Sequence, residues 1–103
     1  MPYFDYAATT PIRPEVISEM ITILEQVYGN PSSIHRNGRT AHETLEKSRQ
    51  TIARQLQVKA NEIVFTSGGT EGDNMAIIGT AFARQHEGKH LITTNVEHPA
   101  VLN

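Results

Sequence analysis

A glycine-rich turn carries the strongest chemical signal in this sequence. Residues 65–71 read Phe-Thr-Ser-Gly-Gly-Thr-Glu and join an apolar run to the start of a helical pattern. Free backbone N–H groups at such a helix start bind anions, most often phosphate, and glycines allow close approach. The Thr70 hydroxyl adds a donor. Because the spacing lacks the dinucleotide fingerprint and the Walker Lys, a small phosphorylated cofactor fits better than NAD or ATP.

A plain structural reading of the same turn stays open. The two glycines could simply make a tight turn, with Thr70 as the N-cap of the helix. Glu71 and Asp73 fit this reading, since acidic residues in a first turn already complement the helix dipole. If phosphate binds here, both carboxylates must face away from it.

His98 is the second chemical signal. It stands in Glu97-His98-Pro99, just after a second predicted strand. Loops that follow parallel strands lie together at the carboxyl edge of a sheet, where ligands bind. We therefore expect His98 to converge with Gly69 and Thr70, as an imidazole able to transfer protons. The alternative is a histidine that only caps the loop before Pro99.

Residues 86–90 read His-Glu-Gly-Lys-His and match the zinc-protease pattern H-E-x-x-H. That chemistry needs both histidines on one unbroken helix, but Gly88 lies inside the pattern and a predicted strand begins at its end. We predict no metal site.

A second cluster of basic and imidazole side chains precedes the middle of the sequence. It consists of His35, Arg36, Arg39 and His42. Its spacing indicates a solvated helix face or a subunit contact rather than a catalytic site.

Two amphipathic helices are predicted in the first half of the chain, after an extended arm at residues 1–13. Pro14 suits the first position of the first helix, which stops at Tyr28. The second helix reaches about Gln57, and its start is open. Thr40 with Glu43 matches a capping box, but residues 35–39 also fit a helix. The apolar stripes are Val16, Ile17, Met20, Ile21, Leu24 and Val27 in the first helix, and Ala41, Leu45, Ile52 and Leu56 in the second.

The sequence pattern in the second half of the chain predicts a βαβ unit. Residues 62–66 and 90–94 are short apolar runs typical of buried strands. The helix between them begins at Thr70 and has Gly88 as its predicted C-cap. Its apolar face is Met75, Ile78, Ala81 and Phe82. Because two parallel strands cannot form a sheet covered on both faces, we expect further strands and predict that the chain is a fragment.

Composition bounds the function classes. The chain has 103 residues, a formal net charge of −2 and no cysteine. The scattered charges form no basic stripe for nucleic acid. No basic leader and no long apolar segment is present in the sequence, so we predict a cytoplasmic protein without membrane association. The absence of cysteine leaves no thiol nucleophile within these residues.

Four blocks, taken together, resemble a known family. They are residues 3–11 (YFDYAATTP), 28–35 (YGNPSSIH), 65–74 (FTSGGTEGDN) and 97–101 (EHPAV). In order and spacing they are similar to the NifS/IscS-type cysteine desulfurases of the class V aminotransferases. The family usually has Asn where Tyr6 stands, so this position supports the family but not a particular subtype within it.

The resemblance implies a fold-type I pyridoxal-phosphate (PLP) enzyme with a three-layer α/β/α architecture and a mainly parallel sheet. Residues 1–13 would be the N-terminal arm, and residues 14–103 would begin the large PLP-binding domain. Gly69 and Thr70 match positions that bind the cofactor phosphate. His98 matches the histidine that stacks on the cofactor ring and moves protons.

The resemblance also implies what these residues lack. PLP chemistry requires a Schiff-base Lys, and sulfur transfer requires a persulfide-forming Cys. Lys47, Lys59 and Lys89 do not match the family's Lys motif, so the chain by itself is expected to be inactive. The implied full-length enzyme converts L-cysteine to L-alanine, delivers sulfur to an acceptor protein and forms a homodimer.

Three alternatives stay open at the level of sequence. A selenocysteine lyase or another class V PLP enzyme would share the same blocks. A non-catalytic binding or dimerisation fragment would share them too. The sequence does not distinguish iron-sulfur cluster assembly from thiolation as the destination of the sulfur.

Overall fold

The computed structural model describes residues 1–102 and is built from helices and turns. The α-helices are α1 (Pro14–Gln26), α2 (Arg36–Leu56), α3 (Gly69–Ala83) and α4 (Pro99–Leu102), and a 3-10 turn occupies Ala60–Glu62. The chain divides into two compact units, one of residues 1–63 and one that begins at Val64. No helix in residues 1–102 is long and apolar enough to span a bilayer.

Residues 1–13 contain a turn and no helix or strand. The Asp5 carbonyl accepts hydrogen bonds from the amides of Ala8 and Thr9 at 3.1 and 3.3 Å. The Tyr3 hydroxyl lies 2.8 Å from the Thr9 Oγ1. This segment is therefore locally folded, and its role as the arm of a larger enzyme stays a prediction.

Helix α1 begins at Pro14 as predicted, because proline needs no amide acceptor at the first helical position. It ends at Gln26, close to the predicted stop at Tyr28. Its apolar side chains are largely solvent-exposed in the first unit, and Leu24 is 71% exposed.

The start of α2, which the sequence left open, lies at Arg36. His35 caps the helix, since its Nδ1 accepts a hydrogen bond from the Gly38 amide at 3.3 Å. Thr40 is inside the helix, where its hydroxyl donates to the Arg36 carbonyl at 3.2 Å. The end is confirmed, because the helix stops at Leu56 and Gln57 takes a left-handed conformation with φ of 57°.

The loop before α2 packs tightly on the buried Gly38. A Cβ added there would collide with the Ser33 carbonyl oxygen and would lie 2.8 Å from the Asn30 carbonyl oxygen. These contacts are with backbone atoms, which cannot rotate away. Only glycine therefore allows the loop to lie this close to the helix.

We expect Gly38→Ala to loosen the first turns of α2. Adding a methyl group to a closely packed site costs about 1–3 kcal/mol of stability. This loss corresponds to roughly 5- to 150-fold faster local hydrogen exchange. Mass spectrometry of amide exchange in residues 36–42 would measure the change. Gly88→Ala is the matched control, because an added Cβ at Gly88 meets nothing within 4 Å. Equal exchange rates in the two variants would contradict the prediction.

The core of the first unit is small. Its buried apolar side chains in the described chain are Ala41 and Ala53, at 6% and 3% exposure. Arg49 adds a polar link, because its guanidinium binds Glu46 at 3.0 Å and the Ile63 carbonyl. This link ties the end of the unit to α2.

The two predicted strands do not form as strands in residues 1–102. Glu62 ends the 3-10 turn, where its carboxylate accepts a hydrogen bond from the Lys59 amide at 2.7 Å. Ile63 is extended, with φ of −96° and ψ of 123°. Residues 90–94 are irregular. A strand requires a ladder of hydrogen bonds to a neighbouring strand, and residues 1–102 contain no such ladder. The expected βαβ unit and parallel sheet are therefore not formed here.

The predicted C-cap of α3 was also wrong. The helix ends at Ala83 rather than just before Gly88, and Arg84 is its C-cap residue. The next residues form a turn, in which the Glu87 amide donates to the Arg84 carbonyl at 2.8 Å. An ion pair of 3.1 Å between the same two side chains supports this turn. Local interactions thus end the helix before the glycine is reached.

Candidate functional site

The N-terminus of α3 offers a set of free hydrogen-bond donors. Gly68 is the N-cap, and the helix begins at Gly69. In the part of the chain that the structure describes, the amides of Gly69, Thr70 and Glu71 have no acceptor. Such unpaired amides at the positive end of a helix dipole favour an anion.

Thr70 is the second residue of α3 and not its N-cap, so the capping interpretation of this residue was wrong. Its side chain is solvent-exposed, and its hydroxyl makes no hydrogen bond within residues 1–102. A threonine at this position can donate to the same anion as the helix amides. The chemistry predicted for Thr70 therefore has the donor it requires.

Gly68 and Gly69 leave open space in front of these donors. A Cβ added at either residue would meet nothing within 4 Å, and no glycine in the described chain has a φ in the left-handed region. Neither packing nor backbone conformation in residues 64–102 thus requires glycine here. Two bare α-carbons beside free amides are typical of a backbone that a ligand approaches closely.

The Glu71 carboxylate is held by Ser67, the residue just before the two glycines. One of its oxygens accepts hydrogen bonds from the Ser67 amide and the Ser67 hydroxyl, both at 2.6 Å. The Ser67 hydroxyl, and then the Ser67 amide, lower the pKa of Glu71 from its ordinary value of 4.5. Glu71 thus satisfies Ser67 and leaves the amides of Gly69 and Thr70 unpaired.

We expect acid to release this contact. Because the folded-state pKa of Glu71 is lowered, the contact stabilises the turn above the ordinary pKa and is lost as pH falls through the lowered one. An NMR titration of the Glu71 side-chain carboxyl carbon would show a midpoint below 4.5, and Ser67→Ala would raise it. Ser32→Ala, which changes a serine in the other unit, should have no effect. A midpoint that Ser67→Ala leaves unchanged would refute this assignment.

His98 precedes α4 and caps it. Its carbonyl accepts hydrogen bonds from the amides of Val101 and Leu102 at 2.8 and 3.3 Å. Its ring Nδ1 accepts a hydrogen bond from the Ala100 amide at 3.1 Å. The neutral ring must then carry its proton on Nε2. The capping interpretation of His98 is observed, and it leaves Nε2 as the ring nitrogen that can contact a ligand.

Asn74 connects the two ends of the candidate site, and the sequence analysis missed it. Its Nδ2 donates to the Thr70 carbonyl at 2.9 Å and to the Ala100 carbonyl at 3.0 Å. Two hydrogen bonds from one nitrogen keep those carbonyl oxygens within about 6 Å of each other. The available signal was an amide residue at the head of the apolar stripe that continues at Ile78 and Ala81.

The structure thus links the two predicted parts of the site indirectly. Within residues 64–102, no hydrogen bond joins His98 to Gly69 or Thr70. The link runs through Asn74 and Ala100. The roles of Gly69, Thr70 and His98 toward a cofactor stay predictions.

The zinc-protease pattern has no helix to support it. Both His86 and His90 follow the end of α3 at Ala83, and His86 lies 3.7 Å from the exposed Glu87 carboxylate. Across residues 1–102, no group of three or more His, Cys, Asp or Glu side chains could hold a metal ion.

The basic and imidazole cluster lies at the start of α2. His35 caps the helix, and Arg36, Arg39 and His42 are exposed. Its use as a subunit contact stays a prediction.

Comparison with known families decides the relationship. The aminotransferase class-V model matches residues 2–103. The chain belongs to the class-V aminotransferase family. The resemblance predicted from the four blocks is thus confirmed.

Within the class-V family, similar relatives are named as cysteine desulfurases. The chain is 55% identical over 100 residues to "Cysteine desulfurase IscS" of Dictyoglomus turgidum, covering 97% of this chain and 25% of that protein. It is 48% identical to "Putative cysteine desulfurase IscS 1" of Bacillus subtilis, covering 98% of this chain and 27% of that one. The chain therefore spans about a quarter of the length of these relatives.

Two solved structures resemble the chain over nearly all of its length. A NifS-like protein matches with a TM-score of 0.86 at 41% identity, over 97% of this chain and 28% of that one. SspA in complex with cysteine matches with a TM-score of 0.84 at 41% identity, over 99% of this chain and 29% of that one. The chain is thus similar in fold to a segment of each of these two solved proteins.

Proposed function

We propose that this chain is the N-terminal segment of a PLP-dependent cysteine desulfurase with a fold-type I large domain. The observation that carries the proposal is the open N-terminus of α3, where the free amides of Gly69, Thr70 and Glu71 stand beside an unbonded threonine hydroxyl. Relatives named as desulfurases and a similar structure bound to cysteine support the reaction and the substrate.

The residues present fit one end of PLP. A dianionic phosphate needs several donors and close backbone approach, and Gly69 with Thr70 supplies both. When bound, PLP withdraws electrons from the α-carbon of an amino-acid substrate. The lysine that this chemistry needs does not match Lys47, Lys59 or Lys89, so it must come from outside these residues.

His98 supplies a proton donor in this proposal. With Nδ1 occupied by the Ala100 amide, Nε2 is the ring nitrogen left to exchange a proton with the substrate, which it donates when the ring is in its imidazolium form. The overall reaction breaks the Cβ–S bond of L-cysteine and forms an S–S bond to an enzyme thiol. L-cysteine and a thiol become L-alanine and a persulfide, with no further oxidant or reductant.

The proposal also includes the compartment, the oligomeric state and the sulfur acceptor of the enzyme. We place the full-length enzyme in the cytoplasm as a homodimer that passes sulfur to an acceptor protein. The desulfurase names of the relatives support an acceptor for iron-sulfur cluster assembly or for thiolation.

A chimera tests the proposal directly. Residues 1–103 replace the matching 100 residues of the Dictyoglomus turgidum relative, and this protein is called the chimera below. We expect it to bind PLP and to form L-alanine and persulfide from L-cysteine, whereas the chain by itself forms neither product. A chimera that binds PLP but turns over only L-selenocysteine would favour the lyase alternative. A chimera that folds without binding PLP, or that does not fold, would refute the proposal.

A further inference from the structure

We propose that Asn74 is a positioning residue that fixes the His98 imidazole relative to the N-terminus of α3. The inference rests on the proposed function, which gives both elements a ligand to share. Asn74 itself makes no hydrogen bond to the His98 ring or to the free amides of α3. It acts through two backbone carbonyls, one on each side of the candidate site.

Both backbone polar groups of Ala100 are hydrogen-bonded. Its carbonyl accepts from the Asn74 amide at 3.0 Å, and its N–H donates to the His98 ring at 3.1 Å. If Ala100 moves, its N–H group moves with it, and the hydrogen bond that orients the His98 ring is changed or lost. Since Asn74 also binds the Thr70 carbonyl at 2.9 Å, the reference point for Ala100 is the first turn of α3.

Partial burial strengthens this link. Asn74 and Ala100 are half-buried, whereas Thr70 and His98 are exposed. A hydrogen bond that is shielded from water holds its geometry better than an exposed one. The half-buried pair therefore holds the exposed His98, whose own helix α4 is short, relative to the exposed Thr70 in α3.

Removing the Asn74 donor leaves the shape of the side chain intact in Asn74→Asp. The carboxylate cannot donate to either carbonyl, so Ala100 loses its tie to α3 and His98 loses its fixed acceptor role. A displacement of about 1 Å in a catalytic group can lower a rate about 100-fold. Asp73→Asn is the control, because the Asp73 side chain is exposed and makes no hydrogen bond or ion pair within residues 1–102.

The first readout needs no cofactor. Long-range ¹⁵N NMR of the 103-residue chain reports which ring nitrogen of His98 carries the proton. We expect the Nε2–H form in the parent chain and in Asp73→Asn, and a mixture of both tautomers in Asn74→Asp. An unchanged tautomer in Asn74→Asp would overturn the inference whether or not the chain belongs to a desulfurase.

The second readout is a double-mutant cycle in the chimera. Asn74→Asp should lower kcat for alanine formation by about 10- to 100-fold with PLP still bound. In a His98→Asn background the same substitution should lower kcat by less than about threefold, because a residue that acts through His98 has nothing left to position. A full additional loss in that background would show that Asn74 acts independently, and the inference would fail. If the unsubstituted chimera forms no alanine, the proposed function fails while the NMR result still decides the Asn74–His98 coupling.

Discussion

Replacing His98 by alanine in the chimera is expected to lower kcat for alanine formation by roughly 10²- to 10⁴-fold, the usual contribution of a positioned acid or base. The Nε2 proton is the free one, because Nδ1 accepts the Ala100 amide. Nε2 is therefore the ring nitrogen left to exchange a proton with a substrate. Removing it takes away the proton donor that the candidate site possesses.

His98→Ala also removes a helix cap, and His98→Asn separates the two roles. Asparagine is among the preferred N-cap residues, so it can accept the Ala100 amide without transferring a proton. We expect His98→Asn to keep the structure of α4 and to lose nearly as much activity as His98→Ala. Amide exchange at Val101 and Leu102 would measure the cap, and alanine release would measure the chemistry.

One outcome would contradict the catalytic assignment. If His98→Asn restored kcat to within a few fold of the parent chimera, the cap would be the whole contribution of this residue. The imidazole would then be structural, as the simpler interpretation of a histidine before proline has it.

Sequence predicted best the features that nearest neighbours in the chain decide. Pro14 starts α1, and α2 ends where Gln57 takes a left-handed conformation. Both depend on interactions within one helical turn. The glycine turn before α3 belongs to the same class, since a helix N-terminus always leaves amides unpaired.

Features that depend on distant partners escaped prediction or differed from it. Residues 62–66 and 90–94 have strand composition, but composition cannot provide the neighbouring strand that a ladder requires. The Asn74 link spans 26 positions to Ala100, so no local pattern contains it. The predicted end of α3 was wrong for the opposite reason, because a local interaction overrode the glycine signal. An ion pair between Arg84 and Glu87 supports a turn before the expected C-cap at Gly88.

Thr70→Val in the chimera is expected to weaken PLP binding by roughly 10- to 150-fold, since a hydrogen bond to a charged group contributes about 1.5–3 kcal/mol. Valine keeps the shape of threonine and removes the hydroxyl, which makes no bond within residues 1–102. The loss should therefore appear in the Kd of the cofactor, measured by its visible absorbance, and not in the stability of the apo protein. Thr80→Val is the control, because Thr80 lies almost three turns further along α3.

Gly69→Ala tests the close approach that the turn permits. An added Cβ meets nothing within 4 Å in the described chain, and alanine favours helix over glycine, so the apo protein should be at least as stable. The same methyl group would stand where a phosphate must approach the backbone. We therefore expect weaker PLP binding together with unchanged or higher stability, a combination that a packing role for Gly69 cannot produce. If both Thr70→Val and Gly69→Ala bound PLP like the parent chimera, the phosphate would lie elsewhere and the free amides of α3 would serve no ligand.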